Sequence, residues 1–346
     1  MAKPLRVGMI GVGGIAQAHL AAWQKISDAE VIAIADIKPE ALKKNLETWS
    51  LPPEAAFTDY KKMLDQVELD LVDVCTPNAV HAKPTIAGLK AGCHVLVEKP
   101  VAISAREVER MIEAGQDAKR LLMVAQVLRF GRDGQVCKSW VDQGLVGDIY
   151  WARAEYLRRR GVPPWGGFID KQASAGGPCY DIGVHVLDMA LHLMDFPTPV
   201  TVSAGTYLKL AKRPSLMKHN PRRYTVPEDF ATAFVRFADG RSLSLGAAWA
   251  LNLREDTNQV LVCGTKGGVY LYPATLVRED NGVLTNSTAE VSAFDNADMF
   301  YNECSAFVQA IREGGPSPVP GEQALVTQRI LDAVYLSGAK GKEVKV

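Results

Sequence analysis

The feature that most narrows the folds open to this chain is Gly11-Val12-Gly13-Gly14-Ile15-Ala16. It is a G-x-G-x-x-A run between an apolar strand, Leu5–Ile10, and a helical stretch, Gln17–Gln24. Glycines at those places permit a tight turn and close approach of the backbone to a pyrophosphate. Ala16 is small enough for the helix to lie on the strand, and the free N–H groups at the helix start face the same spot. Alone the run is a weak signal; between a strand and a helix it predicts a dinucleotide site at Gly11, Gly13, Gly14, Ile15 and Ala16. A second strand, Glu30–Ala35, ends at Asp36, twenty residues after Ala16. An acid there accepts hydrogen bonds from the adenosine ribose and repels a 2′-phosphate. NAD is therefore expected rather than NADP, with Lys38 close enough to soften the preference.

The strand–helix alternation continues. Leu69–Cys75 reads as a strand ending in Thr76-Pro77-Asn78, and a helix is predicted over Val80–Ala91. Cys93–Val97 is a buried strand stopping at Glu98-Lys99-Pro100, and Ser104 with Glu107 forms a capping box for the next helix. This spacing predicts a doubly wound parallel sheet. Ligands of such sheets bind beyond the carboxyl ends of the strands. Thr76, Pro77, Asn78, His81, Glu98 and Lys99 are thereby candidates for the cofactor crevice, His81 equally for an ordinary helix start. Pro100 fixes the exit direction of the chain behind Lys99.

Beyond residue 125 the alternation stops. Strands are expected at Ile149–Arg158, Phe230–Phe237, Ser242–Trp249, Gln259–Cys263 and Val269–Tyr272, and helices near Asn302–Glu313 and Gly321–Ser337. We expect a Rossmann domain over 1–125 and, over 126–346, an α+β substrate-binding and oligomerisation domain with a large, mostly antiparallel open-faced sheet. A second subunit is the economical cover for the open face, giving a homodimer or homotetramer.

Lys plus Arg number 39 and Asp plus Glu 39, so no net charge recommends nucleic acid or an anionic membrane as partner. The opening Met1-Ala-Lys-Pro-Leu-Arg lacks the apolar run of a secretory signal, and no stretch is long and apolar enough to span a bilayer. A cytoplasmic location is expected. The six cysteines are scattered without a C-x-x-C pair, which suits buried thiols in a reducing compartment.

Asp181 and His185 stand four residues apart, on one face of a helix, and Asp188 and His192 extend that face. His185 as a base oriented by Asp181, a metal site, and a polar network tying the helix to the sheet all fit the residue types. No H-E-x-x-H signature supports a metal, and none is expected. Arg158 and Trp165, on the long segment before this helix, suit a ring rich in hydroxyls; the Arg158-Arg159-Arg160 run suits a solvated strand end as well.

The G-x-G-G-x-A turn, Asp36, Cys75-Thr76-Pro77-Asn78 with His81, Glu98-Lys99-Pro100, and Gly177-Pro178-x-x-Asp181-x-Gly183-x-His185 occur in that order. Together they resemble the glucose–fructose oxidoreductase / inositol dehydrogenase family over nearly the whole chain. The resemblance implies that Lys99, Asp181 and His185 meet around the nicotinamide and the substrate carbinol, and that the Lys99–Pro100 bond is cis. There are two departures. Pro178 replaces the third glycine of many members, and Gln126, placed with the cofactor-binding set, stands where an Asn is common.

Oxidation of a secondary alcohol needs a base for the hydroxyl proton, and imidazole titrates near working pH. His185 fills that role, Asp181 fixes its tautomer, and Lys99 stabilises developing alkoxide charge. The expected function is an NAD-dependent oxidoreductase for a secondary hydroxyl of a sugar, sugar derivative or cyclitol. An NAD-assisted glycosidase and a non-catalytic NAD-binding sensor are the competing readings.

Overall fold

Apolar strands alternate with helices from the start: β1 (Leu5–Ile10), α1 (Gly14–Trp23), β2 (Ala29–Ala35), α2 (Pro39–Trp49), β3 (Ala56–Phe57), α3 (Tyr60–Gln66), β4 (Leu71–Val74), α4 (Ala82–Lys90), β5 (His94–Glu98), α5 (Ala105–Ala118) and β6 (Leu122–Ala125). The computed structural model describes residues 3–290, 293–294 and 298–346. Met1 and Ala2, part of the opening segment read above, lie outside them. All neighbouring pairs of this six-stranded sheet are parallel, in the order β3-β2-β1-β4-β5-β6. That order reverses direction beside β1, which is where a doubly wound sheet binds its ligand. The central strands lack alternation because helices cover both faces: all of Leu71–Val74, Asp73 included, and Val95–Val97 of β5, are buried. The Ser104 half of the capping box forms, with its Oγ accepting from the Glu107 N–H, while Glu107 Oε2 accepts from the N–H of Ile103, one residue before the cap.

Next come α6 (Arg132–Asp142), β7 (Ile149–Leu157), α7 (Lys171–Ser174), a π-helical turn (Cys179–Gly183), α8 (Val184–Leu193), β8 (Pro199–Tyr207), β9 (Phe230–Phe237), β10 (Ser242–Ala248), β11 (Thr257–Gly264), β12 (Gly267–Tyr270), β13 (Thr275–Asp280), β14 (Val283–Thr288), α9 (Met299–Glu313), α10 (Gly321–Lys340) and β15 (Val344–Lys345). Nine strands form one sheet in the order β14-β13-β12-β11-β7-β10-β9-β8-β15. β7 and β10 pair in parallel, and the remaining pairs are antiparallel. Val186, Leu187 and Ala190 of α8 join Val260 and Val262 of β11 in the main core of this part. On β7, Ala152 and Ala154 are buried while Trp151, Arg153 and Glu155, on the opposite face, stay half-exposed.

By its contacts the chain divides into two units, Met1–Val127 with Asp298–Leu325, and Leu128–Ala297 with Val326–Val346. The division is not a single cut at 125. α9 rejoins the first unit, where it packs on α1, and the boundary falls again inside α10.

Candidate active site

In the first unit, Gly11 has φ +88°, and a Cβ there would stand 2.7 Å from the Cys75 carbonyl oxygen, so only glycine fits. The turn is braced from two sides. Asp36 Oδ2 accepts from the Val12 N–H at 3.1 Å, and Oδ1 accepts from the Lys38 N–H at 2.9 Å. Asn45 of α2 donates to the Val12 carbonyl at 3.2 Å and accepts from Gln17 at 2.7 Å. Neither Asn45 nor Gln17 was singled out from the sequence; a buried Asn on an otherwise amphipathic helix is the signal that points to it. Ala16 is buried and Ile15 exposed.

Three observations fit a nicotinamide dinucleotide to this turn. A Cβ at Gly13 or Gly14 would meet nothing within 4 Å, so the space before the N-terminus of α1 is open. No side chain caps that helix end, leaving its N–H groups to an anion. Thr76 Oγ1, at the end of β4, is buried with no hydrogen-bond partner among the described residues. Pro77 is exposed and Asn78 half-buried beside it.

His81 does not face this space. Its ring is buried, with Nδ1 2.8 Å from the Pro100 carbonyl and Nε2 2.7 Å from the Thr76 carbonyl, so it staples the end of β4 to the turn after β5. Burial pushes its pKa down, against the pull of the two carbonyls. Glu98 is also turned inward. Oε2 accepts from the Lys99 N–H at 3.0 Å and Oε1 lies 3.0 Å from His19 Nε2. Gln126, directly after β6, is buried. From Val95 to Ala102 every residue is buried except Lys99, and the Lys99–Pro100 peptide is cis.

In the second unit, the Asp181 segment opens as a π-turn, and α8 begins only at Val184. From Tyr180 to Leu191 every residue is buried except Asp181 and His185. Asp181 Oδ2 accepts from Trp249 Nε1 at 3.0 Å. The expected continuation of this stripe breaks at Asp188, which is buried and held bidentate by Arg129, both contacts 2.7 Å. The sheet and α6 close over that position, so a carboxylate there is kept by its ion pair. His192 is half-buried, and burial first, then the Arg129 and Lys138 charges, pushes its pKa down to about 3.

Of the two loop residues expected to meet substrate, Trp165 is 66% exposed. Arg158 is turned to its own loop: its guanidinium lies 4.8 Å from the Tyr156 ring centroid and donates to Tyr156 Oη at 3.0 Å and to the Gly161 carbonyl at 3.3 Å. Glu228 was not foreseen. It is fully buried and accepts from the N–H groups of Gly177 at 3.0 Å and Cys179 at 3.3 Å and from Tyr335 Oη at 2.7 Å, holding the entry to the π-turn. The acid pair Glu228-Asp229 immediately before the apolar start of β9 is the trace it leaves in the sequence.

A glycine turn opening onto a helix N-terminus beside the strand-order reversal of a doubly wound sheet defines a dinucleotide-binding protein, and the second unit carries the half-exposed Asp181 and His185. The chain matches the oxidoreductase family's NAD-binding Rossmann fold over residues 5–126 and its C-terminal alpha/beta domain over residues 138–346. It belongs to that family, the glucose–fructose oxidoreductase / inositol dehydrogenase family, and its cofactor is NAD. It is 32% identical to D-glucoside 3-dehydrogenase of Escherichia coli (strain K12), over 99% of this chain and 98% of the relative. It is 27% identical to myo-inositol 2-dehydrogenase of Thermotoga maritima, again over 99% and 98%. A levoglucosan dehydrogenase solved with NADH and L-sorbose superposes with a TM-score of 0.87 at 25% identity, covering 100% of this chain and 99% of that one. No helix among the described residues is long and apolar enough to cross a membrane.

Proposed function

We propose that this enzyme oxidises a secondary hydroxyl of a sugar, sugar derivative or cyclitol, with Lys99, Asp181 and His185 as its catalytic residues. The observation that carries the residue assignment is exposure. Lys99 alone breaks the buried run Val95–Ala102, and Asp181 and His185 alone break Tyr180–Leu191. An ionisable side chain that leaves an otherwise packed segment is placed to contact something outside it. The substrate class rests on the two dehydrogenases that match over nearly their whole length, which act on a glucoside and on an inositol.

Bound NAD supplies the hydride acceptor. The protein supplies the rest. Gly11–Ala16 and the N-terminus of α1 take the pyrophosphate, Asp36 the adenosine ribose, and Thr76 Oγ1 a polar group of the cofactor beyond β4. His185 removes the hydroxyl proton as the carbinol is oxidised, which an imidazole can do near neutral pH. Asp181, already fixed by the Trp249 indole N–H, stabilises the charged ring. The Lys99 ammonium donates to the same substrate oxygen and stabilises its growing negative charge. The half-exposed face of the nine-stranded sheet accepts a second copy of the chain.

A panel of glucosides, free sugars and inositols with NAD and then NADP, followed as nicotinamide absorbance at 340 nm, tests the reading. Net NADH formation with at least one polyol is expected. Product release without net NADH would move the protein to an NAD-assisted glycosidase, and NAD binding without turnover on any polyol to a sensor. Lys99→Ala is expected to lower kcat about 100–1000-fold while NAD still binds; full turnover by that variant would remove Lys99 from the mechanism.

A further inference from the structure

Behind the Lys99 turn lies a buried polar cluster that the mechanism above does not use. His19, on the second turn of α1, is fully buried between two carboxylates. Its Nδ1 is 2.9 Å from Asp73 Oδ2 on β4, and its Nε2 is 3.0 Å from Glu98 Oε1 at the end of β5. Trp23 Nε1, one helical turn further along α1, donates to the same Asp73 oxygen at 2.8 Å. The other oxygen of Glu98 accepts the Lys99 backbone N–H. A continuous path thus runs from the nucleotide-binding helix, through the ring and Glu98, to the peptide that carries Lys99.

The ring has a carboxylate oxygen against each nitrogen. A neutral imidazole has one N–H and one lone pair, so it would set that lone pair against a carboxylate in a site closed to bulk solvent. Only the doubly protonated ring donates to both. The surroundings agree. Burial pulls the ring's pKa down, and Asp73 leads the groups that more than reverse this, so it stays well above the usual histidine value. The neighbouring Cys75 and Cys304 are held as thiols by burial. α9, which packs on α1, places the Phe300 ring 5.8 Å away and carries buried Glu303. His19, Asp73 and Cys75 are also close enough together to suggest a cation site. Both His19 Nδ1 and the Trp23 N–H lie against Asp73 Oδ2, and the Cys75 thiol lies against Oδ1.

We propose that His19 is a positioning residue: as an imidazolium bridging Asp73 and Glu98, it fixes the Lys99 turn relative to the nucleotide-binding helix. The consequence for turnover rests on the role of Lys99 proposed above; the protonation state and the bridge do not. Removing the ring leaves Glu98 without the cation that holds it, and the turn it clamps loosens. A misplacement at such a supporting residue costs about 10–100-fold in activity.

Two measurements test this. In the wild-type protein, long-range proton–nitrogen NMR with labelled histidine, assigned by the signals missing from His19→Gln, should show both His19 nitrogens protonated from pH 6 to pH 9. A spectrum with one protonated and one bare nitrogen overturns the bridge. In kinetics, His19→Gln should lower kcat about 10–100-fold with the Kd for NAD within about threefold of wild type. The same substitution placed in Lys99→Ala should cause no further loss, because both act through one ammonium. An inactive Lys99→Ala beside a His19→Gln of normal kcat overturns the positioning role and leaves the proposed function standing. A fully active Lys99→Ala overturns the proposed role of Lys99 and, with it, the effect of His19 on turnover. A His19→Gln that lowers only the thermal midpoint marks the cluster as structural and overturns the proposal.

Discussion

Asp36 performs two tasks with one carboxylate. In the proposed assignment it meets the adenosine ribose, and both of its oxygens already brace the backbone, one at Val12 and one at Lys38. Asp36→Ala therefore removes a ribose contact and slackens the turn. We expect the Kd for NAD to rise about 10-fold or more and the preference for NAD over NADP to shrink, read by parallel titration of both nucleotides. An unchanged ratio would show that the acid does not discriminate. His81 makes a comparable point about burial. The sequence left it equally between the cofactor crevice and an ordinary helix start; its neighbours place both ring nitrogens against the Thr76 and Pro100 carbonyls. His81→Ala strands the inward-facing carbonyl to which the ring donates, at about 1–3 kcal/mol. It should appear as a lowered thermal midpoint with NAD affinity little changed. Residue types and their order foretold which side chains cluster at strand ends. They did not tell Glu98 and His81, which turn inward, from Lys99, which does not, because that depends on partners distant in the chain such as His19.

Among the elements, the strands with simple punctuation were legible. β5 stops at Glu98 before a proline, and β9 and β10 flank Ala238-Asp239-Gly240-Arg241, as expected. The hairpin of β13 and β14 was passed over although Asn281-Gly282 marks it; both residues have positive φ, as a tight two-residue turn requires. The π-turn was not legible. A four-residue spacing suggests an unbroken α-helix, whereas the extra residue per turn at Cys179–Gly183 is set by what packs on either side. At one side Glu228 collects the Gly177 and Cys179 N–H groups. At the other, Gly183 lies against β10, where an added Cβ would be 2.8 Å from Ala247 Cβ. Gly183→Ala should push the turn off the sheet, costing about 1–3 kcal/mol and lowering kcat with it. Gly183→Ala with Ala247→Gly should recover most of both, measured by thermal melting and steady-state rates. No recovery would mean that the contact does not set the turn.

For the whole molecule, two buried groups give stability opposite dependences on pH. Burial pushes the Glu228 pKa from 4.5 up to about 7, although Tyr335 and the N–H groups of Cys179 and Gly177 pull it down. A raised carboxyl pKa favours the protonated fold, so its contribution is complete below pH 4.5, declines as pH rises to about 7, and is level beyond; the span is about 3 kcal/mol. His192 runs the other way. Its pKa falls from 6.5 to about 3, so its contribution is complete above pH 6.5 and is lost as pH falls toward 3. Melting curves from pH 3 to pH 8 should show Glu228→Gln flattening the first slope and His192→Asn the second. A wild-type slope in either variant removes that group from the pH dependence. The sequence announced both units through the change from alternating to strand-rich patterning. The return of Asp298–Leu325 to the first unit left no comparable mark, because an amphipathic helix does not name its partner.

That return has a consequence for how the protein is made. α1 and the Phe300 ring beside His19 belong to one packed unit, yet nearly three hundred residues separate them along the chain. A ribosome delivers the glycine turn long before the helix that packs on α1. The nucleotide-binding unit is begun before Leu128–Ala297 emerges and is completed only after the whole of it has been made.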